Sequence, residues 1–209
     1  MRRLGLVITL VLMASLLATT ASVTAGAKER SGLESGCFSE PKVEVPGQCL
    51  QDLRTAREAT EHYQDFGRAL ADGFVPVSEC VFEEHGTMGF HFLNQERYET
   101  NRVEDPLDIT KPEVLLYVPD RATGLRLVAV EWVVNVYLDG ENEPYRGITP
   151  PPSDKINPPP ELFGGREFYG PMAGHNPAMP WHYDLHVWAW SENPEGLFAL
   201  YNPSEDCLP

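Results

Sequence analysis

The chain has 209 residues, with 31 acidic against 16 basic side chains and a formal net charge of -15. Nucleic acid and anionic membranes both bind through clustered positive charge, so this balance argues against either as a partner. An acidic surface serves solubility first and attraction of cations second.

Arg2 and Arg3 precede an apolar run from Leu4 to Leu17, and Ala25-Gly26-Ala27 is a small-x-small cleavage pattern. Residues 1–27 therefore read as a secretory signal, with a mature chain beginning near Lys28. Loss of the two arginines takes the charge to about -17. No later segment approaches the roughly 18 consecutive apolar residues of a bilayer span, so no stable membrane insertion is expected after signal removal. The product is expected to be secreted or periplasmic. Its length suits a single domain with a sizeable core.

Cys37, Cys49, Cys80 and Cys207 form an even set in an exported chain, the pattern of two disulfides. Three pairings are open. The favoured one joins Cys37 to Cys49 across a short N-terminal loop and ties the C-terminal tail to the core through Cys80 and Cys207. Their spacing fits no zinc ribbon or redox motif.

In chain order, residues 28–49 read as an irregular, disulfide-pinned arm and residues 50–209 as one α+β domain. The spacing of Leu50, Leu53, Ala56, Tyr63, Phe66 and Leu70 predicts a helix over 50–72, with Thr55 and Glu58 as a capping box if it begins late and Gly73 as its stop. Strands are predicted at 74–81, 88–93, 114–118, 125–137, 181–190 and 196–201, with a hairpin turn at 120–124. Residues 139–180 carry Pro144, Pro150, Pro151, Pro152, Pro158, Pro159 and Pro160 and read as a stiff excursion. It is either a cover over the site or a plain surface loop. The expected fold is one N-terminal helix on a curved, mainly antiparallel sheet of five or six strands, open or closing toward a barrel. A cystatin- or NTF2-like cone and a small cupin-type barrel are the two candidates.

The chemistry concentrates in Trp181-His182-Tyr183-Asp184-Leu185-His186-Val187-Trp188. Side chains alternate across a strand, so His182, Asp184 and His186 share one face. Polar groups on a core-type strand must be hydrogen-bonded or must bind something. Glu131, inside Val128-Ala129-Val130-Glu131-Trp132-Val133-Val134, shares a face with Leu127, Ala129, Val133 and Asn135 by the same alternation. It is either paired with an arginine or backbone donors, or a ligand, or at a solvent-facing edge. His91 is flanked by Phe90 and Phe92, and Gly89 on its own face leaves room for a ligand or a close backbone. Alone, it would be an ordinary hydrogen-bonded core histidine.

Together His91, Glu131, His182 and His186 offer three imidazoles and a carboxylate, a set suited to one zinc, copper, iron or manganese ion. Asp184 and His175 are candidates for the surrounding shell, or for a further ligand in the case of Asp184. His62 and His85 read as surface residues. The cupin barrel also holds metal with three histidines and a glutamate, but its closely spaced H-x-H motif is absent and nothing carries over. No catalytic residue is assigned. There is no Gly-x-Ser-x-Gly elbow, and Ser78, Ser153, Ser191 and Ser204 have loop-like settings. No phosphate loop marks a cofactor site.

The segments ADGFVPVSECV, GTMGFHFLN, PEVLLYVP, LVAVEWVV, HYDLHVWAW and NPEGLFALYNP, with Cys207, resemble a group of exported bacterial proteins of uncharacterised function. The resemblance spans about residues 70–207 and implies a secreted single-domain protein. It implies nothing about chemistry.

Three functions follow from these residues. The first is a metal-binding protein, enzyme or not, on His91, Glu131, His182 and His186. The second is a metal-free module in which Phe90, Phe92, Trp132, Trp181, Tyr183, Trp188 and Trp190 enclose a small molecule. The third is an envelope or interaction protein whose polar cluster only organises the core.

Overall fold

The computed structural model describes residues 32–100, 107–176 and 178–208. The expected signal, residues 1–27, lies outside them. Part of the expected irregular arm is helical: α1 runs Gly32–Ser39, and α2 runs Pro46–Thr60 with proline in its first turn. Proline is tolerated there because its missing N–H has no helical partner anyway. The helix predicted over 50–72 therefore starts four residues earlier, and Thr55 and Glu58 lie inside it rather than at its cap. It also breaks. Glu61–Gln64 tightens into a 3₁₀ turn, and Asp65 accepts the Gly67 N–H at 3.0 Å to start α3, Phe66–Ala71. Gly73 (φ +87°) ends it as expected.

The strands are β1 Phe74–Pro76, β2 Val81–Glu83, β3 Gly86–Asn94, β4 Val114–Asp120 and β5 Gly124–Asn135, with a short α4 (Gln95–Thr100) after β3. β6 (Glu161–Leu162), β7 (Arg166–Glu167), β8 (Tyr169–Met172) and β9 (His182–Val187) follow. The main sheet has seven strands in the order β1-β3-β4-β5-β9-β8, with β2 beside β3, and every pairing is antiparallel. This is an α+β fold. The sheet is open: among the described residues no ladder joins β8 to β1, so the barrel alternative is not realised.

The strand predicted at 196–201 is absent. That segment is a run of turns, tied to the sheet by the Trp188 N–H donating to Leu197 at 3.0 Å and by a bridge between Thr87 and Asn202. The Asp120–Gly124 hairpin between β4 and β5 is present.

Both faces of the sheet are buried. Against α2 and α3 lie Leu115, Tyr117, Leu127, Val130, Trp132, Val134, Tyr183 and Leu185, joined by Leu53, Ala56 and Ala69 of the helices. Tyr117 donates its hydroxyl to the Tyr63 carbonyl at 2.6 Å. The opposite face carries a second apolar cluster of Val114, Leu116, Val118, Val128, Ala129, Val133 and Trp188. Of the aromatic residues considered for a ligand pocket, Phe92, Trp132, Tyr183 and Trp188 are buried in these cores, and Phe90, Trp181 and Trp190 pack against them partly buried.

A bulge in β5 decides which residues reach the second face. Leu116 pairs with Ala129 and Tyr117 with Leu127, leaving Val128 as the extra residue. Simple alternation from Glu131 back to Leu127 therefore fails: Leu127 packs on the helical face, while Val128 and Ala129 both pack on the other.

The proline-rich excursion serves both faces. Tyr145, Ile156, Leu162, Phe163 and Phe168 pack on the helical side, β8 extends the sheet, and Met179 covers the second face. Disulfides join Cys37 to Cys49 and Cys80 to Cys207, the favoured pairing. Such bonds belong to an oxidising, extracytoplasmic compartment. Among the described residues, no helix is long and apolar enough to cross a membrane.

Candidate metal centre

Strand pairing places the polar residues of three strands on the second face. Glu131 of β5 stands opposite His186 of β9, Val133 opposite Asp184, and Asn135 opposite His182. His91 of β3 pairs with Leu116, whose other partner is Ala129, so its ring reaches Glu131 across the intervening β4. One ligand atom from each of His91, Glu131 and His186 lies within 4.8 Å of the others. His186 Nε2 is 3.7 Å from Glu131 Oε1, and the two imidazoles meet edge to face at 5.9 Å between ring centroids.

Gly89 permits this placement of β3, but not by leaving space for a ligand. At φ +100°, an added Cβ would stand 2.5 Å from the Tyr117 carbonyl oxygen, so the room is taken by the backbone of β4.

His186 is 1% exposed, and neither ring nitrogen has a hydrogen-bond partner. A buried polar atom left unpaired costs about 1–3 kcal/mol. Asp184, 2% exposed, sets its Oδ2 3.9 Å from His186 Nδ1. The imidazole thus stands between two carboxylates, Glu131 on its Nε2 side and Asp184 on its Nδ1 side. At 3.9 Å the Asp184 contact is electrostatic and longer than the hydrogen bond by which a carboxylate orients a metal-binding histidine. Ser78 fixes His91: its Oγ lies 3.0 Å from Nδ1 and accepts the His91 backbone N–H at 3.1 Å. When Nδ1 carries the proton and donates to Ser78, Nε2 is the nitrogen that serves as a ligand.

Burial sets the protonation states. Desolvation holds His186 down at about 3, helped by the neighbouring His91, His175 and His182. Desolvation likewise lowers His91 and His182 to about 4. All three are neutral imidazoles at physiological pH, the form that binds metal. Burial pushes Asp184 up to about 7, although a hydrogen bond from Glu131 opposes this. Glu131 is raised well above the usual carboxylate range by burial and by the negative charges of Asp184 and Glu113. Burial thus pushes both carboxyls toward the protonated form, and the two are hydrogen-bonded to each other. Among the described residues no lysine or arginine pairs with Glu131 or Asp184.

His182 lies apart from the three converging residues, at the far end of β9. It is fully buried, its Nδ1 donates to the Pro180 carbonyl at 3.1 Å, and its Nε2 has no partner. His175 is exposed on the loop after β8, with its ring 5.2 Å from that of His182. His62 and His85 are exposed, beside Asp72 and Glu84.

Two supporting residues had no sequence signal of their own. Glu113, 4% exposed, accepts the Val133 N–H at 3.0 Å, capping a backbone donor of β5 just before β4 begins. Its place between Pro112 and the Val114 strand was the only cue. Ser78 reads as a loop serine until its distance to His91 is known. On the same face, Tyr98 of α4 donates to Asn135 Oδ1 at 2.7 Å.

No family model, curated protein or solved structure matches this chain, so the site is read from its own chemistry.

Proposed function

We propose that this is a secreted or periplasmic metalloprotein that binds a divalent transition-metal ion through His91, Glu131 and His186. The observation that carries this reading is the convergence of two neutral imidazoles and one carboxylate within 4.8 Å, around a buried His186 with both nitrogens unpaired. Two histidines and a carboxylate are a donor set used by hydrolytic zinc and by non-haem iron, and copper and manganese accept related sets. Such an ion, with protein ligands at three positions, supplies an open place for water or a substrate oxygen.

The residues around it have defined tasks. Ser78 anchors the His91 ring, Asp184 stands on the Nδ1 side of His186, and Glu131 gives up its proton to become an anionic ligand. The apolar wall of Val114, Leu116 and Val133 keeps the site dry.

The hydrogen bond between Glu131 and Asp184 favours a second reading, in which the cluster is a buried polar core with no ion. Elemental analysis separates the two. The mature protein is exported natively, purified without a nickel column, and compared with Glu131→Gln and His186→Ala. Near-stoichiometric metal, lost in both variants while the circular dichroism is unchanged, supports the metal reading. No metal as isolated and no uptake of zinc, copper, iron or manganese overturns it.

A further inference from the structure

We propose that the open cavity between the two arms of the proline-rich excursion binds a small organic carboxylate with an apolar or aromatic body. One arm is residues 145–148, the other residues 173–181 after β8. The site lies outside the His91–Glu131–His186 cluster and needs no ion there.

Hydrogen bonds between the arms build its walls. Trp181 donates its backbone N–H to the Tyr145 carbonyl at 2.9 Å and its indole N–H to the Gly147 carbonyl at 2.8 Å. Arg146 donates to the Ala178 carbonyl. On the facing arm, Asn176 Oδ1 accepts the N–H groups of Ala178 and Met179 at 2.9 and 3.1 Å. Loops cross-bonded in this way hold their shape, so the cavity of about 470 Å³ between them is preformed. Small-molecule sites are typically of this size.

The polar groups on its wall are donors without partners. The guanidinium of Arg146 has five N–H donors, and the Ala178 carbonyl is the one acceptor it meets among the described residues. No carboxylate there pairs with it. In a chain with 31 acidic and 16 basic side chains, a cation on a cavity wall with no acid beside it is a place for an anion brought from outside. Asn176 adds to it. Two backbone donors occupy its Oδ1 and so fix the amide, and its Nδ2 has no partner among the described residues. The planar fork of an arginine takes the two oxygens of a carboxylate side by side. One guanidinium balances one negative charge, which fits a carboxylate better than a phosphate dianion in so acidic a protein.

The remaining walls suit an apolar body. Ile148, Met179 and Trp181 line the same cavity. Ile148 is fully exposed, and a ligand seated beside it removes that apolar surface from water. The half-buried indole of Trp181 is held by its bond to Gly147, so it presents a fixed aromatic surface.

The test is calorimetric titration of the full mature protein, stripped with chelator so that the result is independent of the metal site. The probes are benzoate, cinnamate and octanoate, each beside its neutral amide. The variants are Arg146→Gln, Asn176→Asp and Ile148→Ser, checked by circular dichroism. All three side chains are exposed, so the variants keep the fold. Asn176→Asp retains the acceptor for Ala178 and Met179 but replaces the donor with a negative charge. The expected result is saturable binding of at least one acid at one equivalent, with its amide weaker by about tenfold or more, the effect of losing a charge-assisted hydrogen bond. Arg146→Gln and Asn176→Asp should weaken the acid by a similar factor, and Ile148→Ser should weaken acid and amide alike. No saturable binding of any acid at millimolar concentration overturns the site. Equal affinity for an acid and its amide overturns recognition of the anion, and acid binding unchanged in Arg146→Gln overturns this cavity as its place.

Discussion

His186 and Glu131 face each other directly across the β5–β9 ladder, with Nε2 and Oε1 3.7 Å apart. That is too long for a hydrogen bond. It is close to the separation of two donors on one ion: bonds of about 2.0–2.2 Å at a tetrahedral angle place them about 3.4 Å apart. Zinc should therefore stabilise the folded protein, by about 2.7 kcal/mol at a hundredfold excess over its dissociation constant. Glu131→Gln removes the anionic donor and should weaken zinc binding by more than about 100-fold, beyond the range seen for residues outside the coordination sphere. Thermal melts at graded zinc concentrations check both. A melting temperature of the native protein that ignores zinc would contradict the site.

Ser78 binds nothing itself in this scheme, yet it holds His91 Nδ1 at 3.0 Å. Ser78→Ala should leave the fold intact and lower zinc affinity by about 10–100-fold, the usual cost of losing a partner of a metal-binding histidine. Competition with a chromophoric chelator measures it. An unchanged affinity would mean that His91 is oriented by packing alone.

The protonation states give the metal-free protein a distinctive pH profile. His91, His182 and His186 have folded values near 4, 4 and 3, below the unfolded value near 6.5. Their contribution is present above 6.5 and is lost as pH falls toward the folded values. Asp184 runs the other way: raised from 3.8 to about 7, it contributes below its unfolded value and loses that contribution as pH rises through about 7. Glu131 is raised for the same reason and has the same sign. Between about pH 4 and about 6.5 three histidines outweigh two acids, so the cluster's contribution climbs and then declines as the acids ionise. Bound zinc removes the decline, because it needs Glu131 ionised and releases its proton. Urea midpoints of metal-free and zinc-loaded protein from about pH 4 to about pH 8 should diverge above neutrality. Parallel curves would sink this account.

Local pattern was enough to find the residues and too little to group them. Alternation put His182, Asp184 and His186 on one face, and they are there. Alternation cannot say which residue stands opposite which. The β5–β9 register sets Glu131 against His186 and leaves His182 against Asn135, four residues further along, which is why the fourth expected ligand lies apart. The bulge at Val128 was equally hidden, because a bulge is a property of two strands rather than of one sequence. The helix break at Glu61–Asp65 was visible only as a lapse in apolar spacing, and the strand expected at 196–201 had β-type residues without a partner edge. Glu113 was missed because its role is to cap a donor on a strand distant in sequence.

The Cys80–Cys207 disulfide closes a separation of 127 residues and lies two positions after Ser78. A cross-link over a loop this long constrains the unfolded chain strongly, and removing a native disulfide typically costs about 2–5 kcal/mol. Its local effect should be specific. Val77 donates its N–H to the His91 carbonyl at 2.9 Å, so the segment carrying Ser78 is held against β3 from one side by the ladder and from the other by the disulfide. Cys80→Ser with Cys207→Ser frees that second side and loosens the contact of Ser78 with His91. The double variant should lose both global stability and zinc affinity. Cys37→Ser with Cys49→Ser, at the helical layer, should lose stability alone. Urea unfolding and zinc competition on the two variants together read the difference. Equal loss of zinc affinity in both would show that the disulfides act on the site only through overall stability.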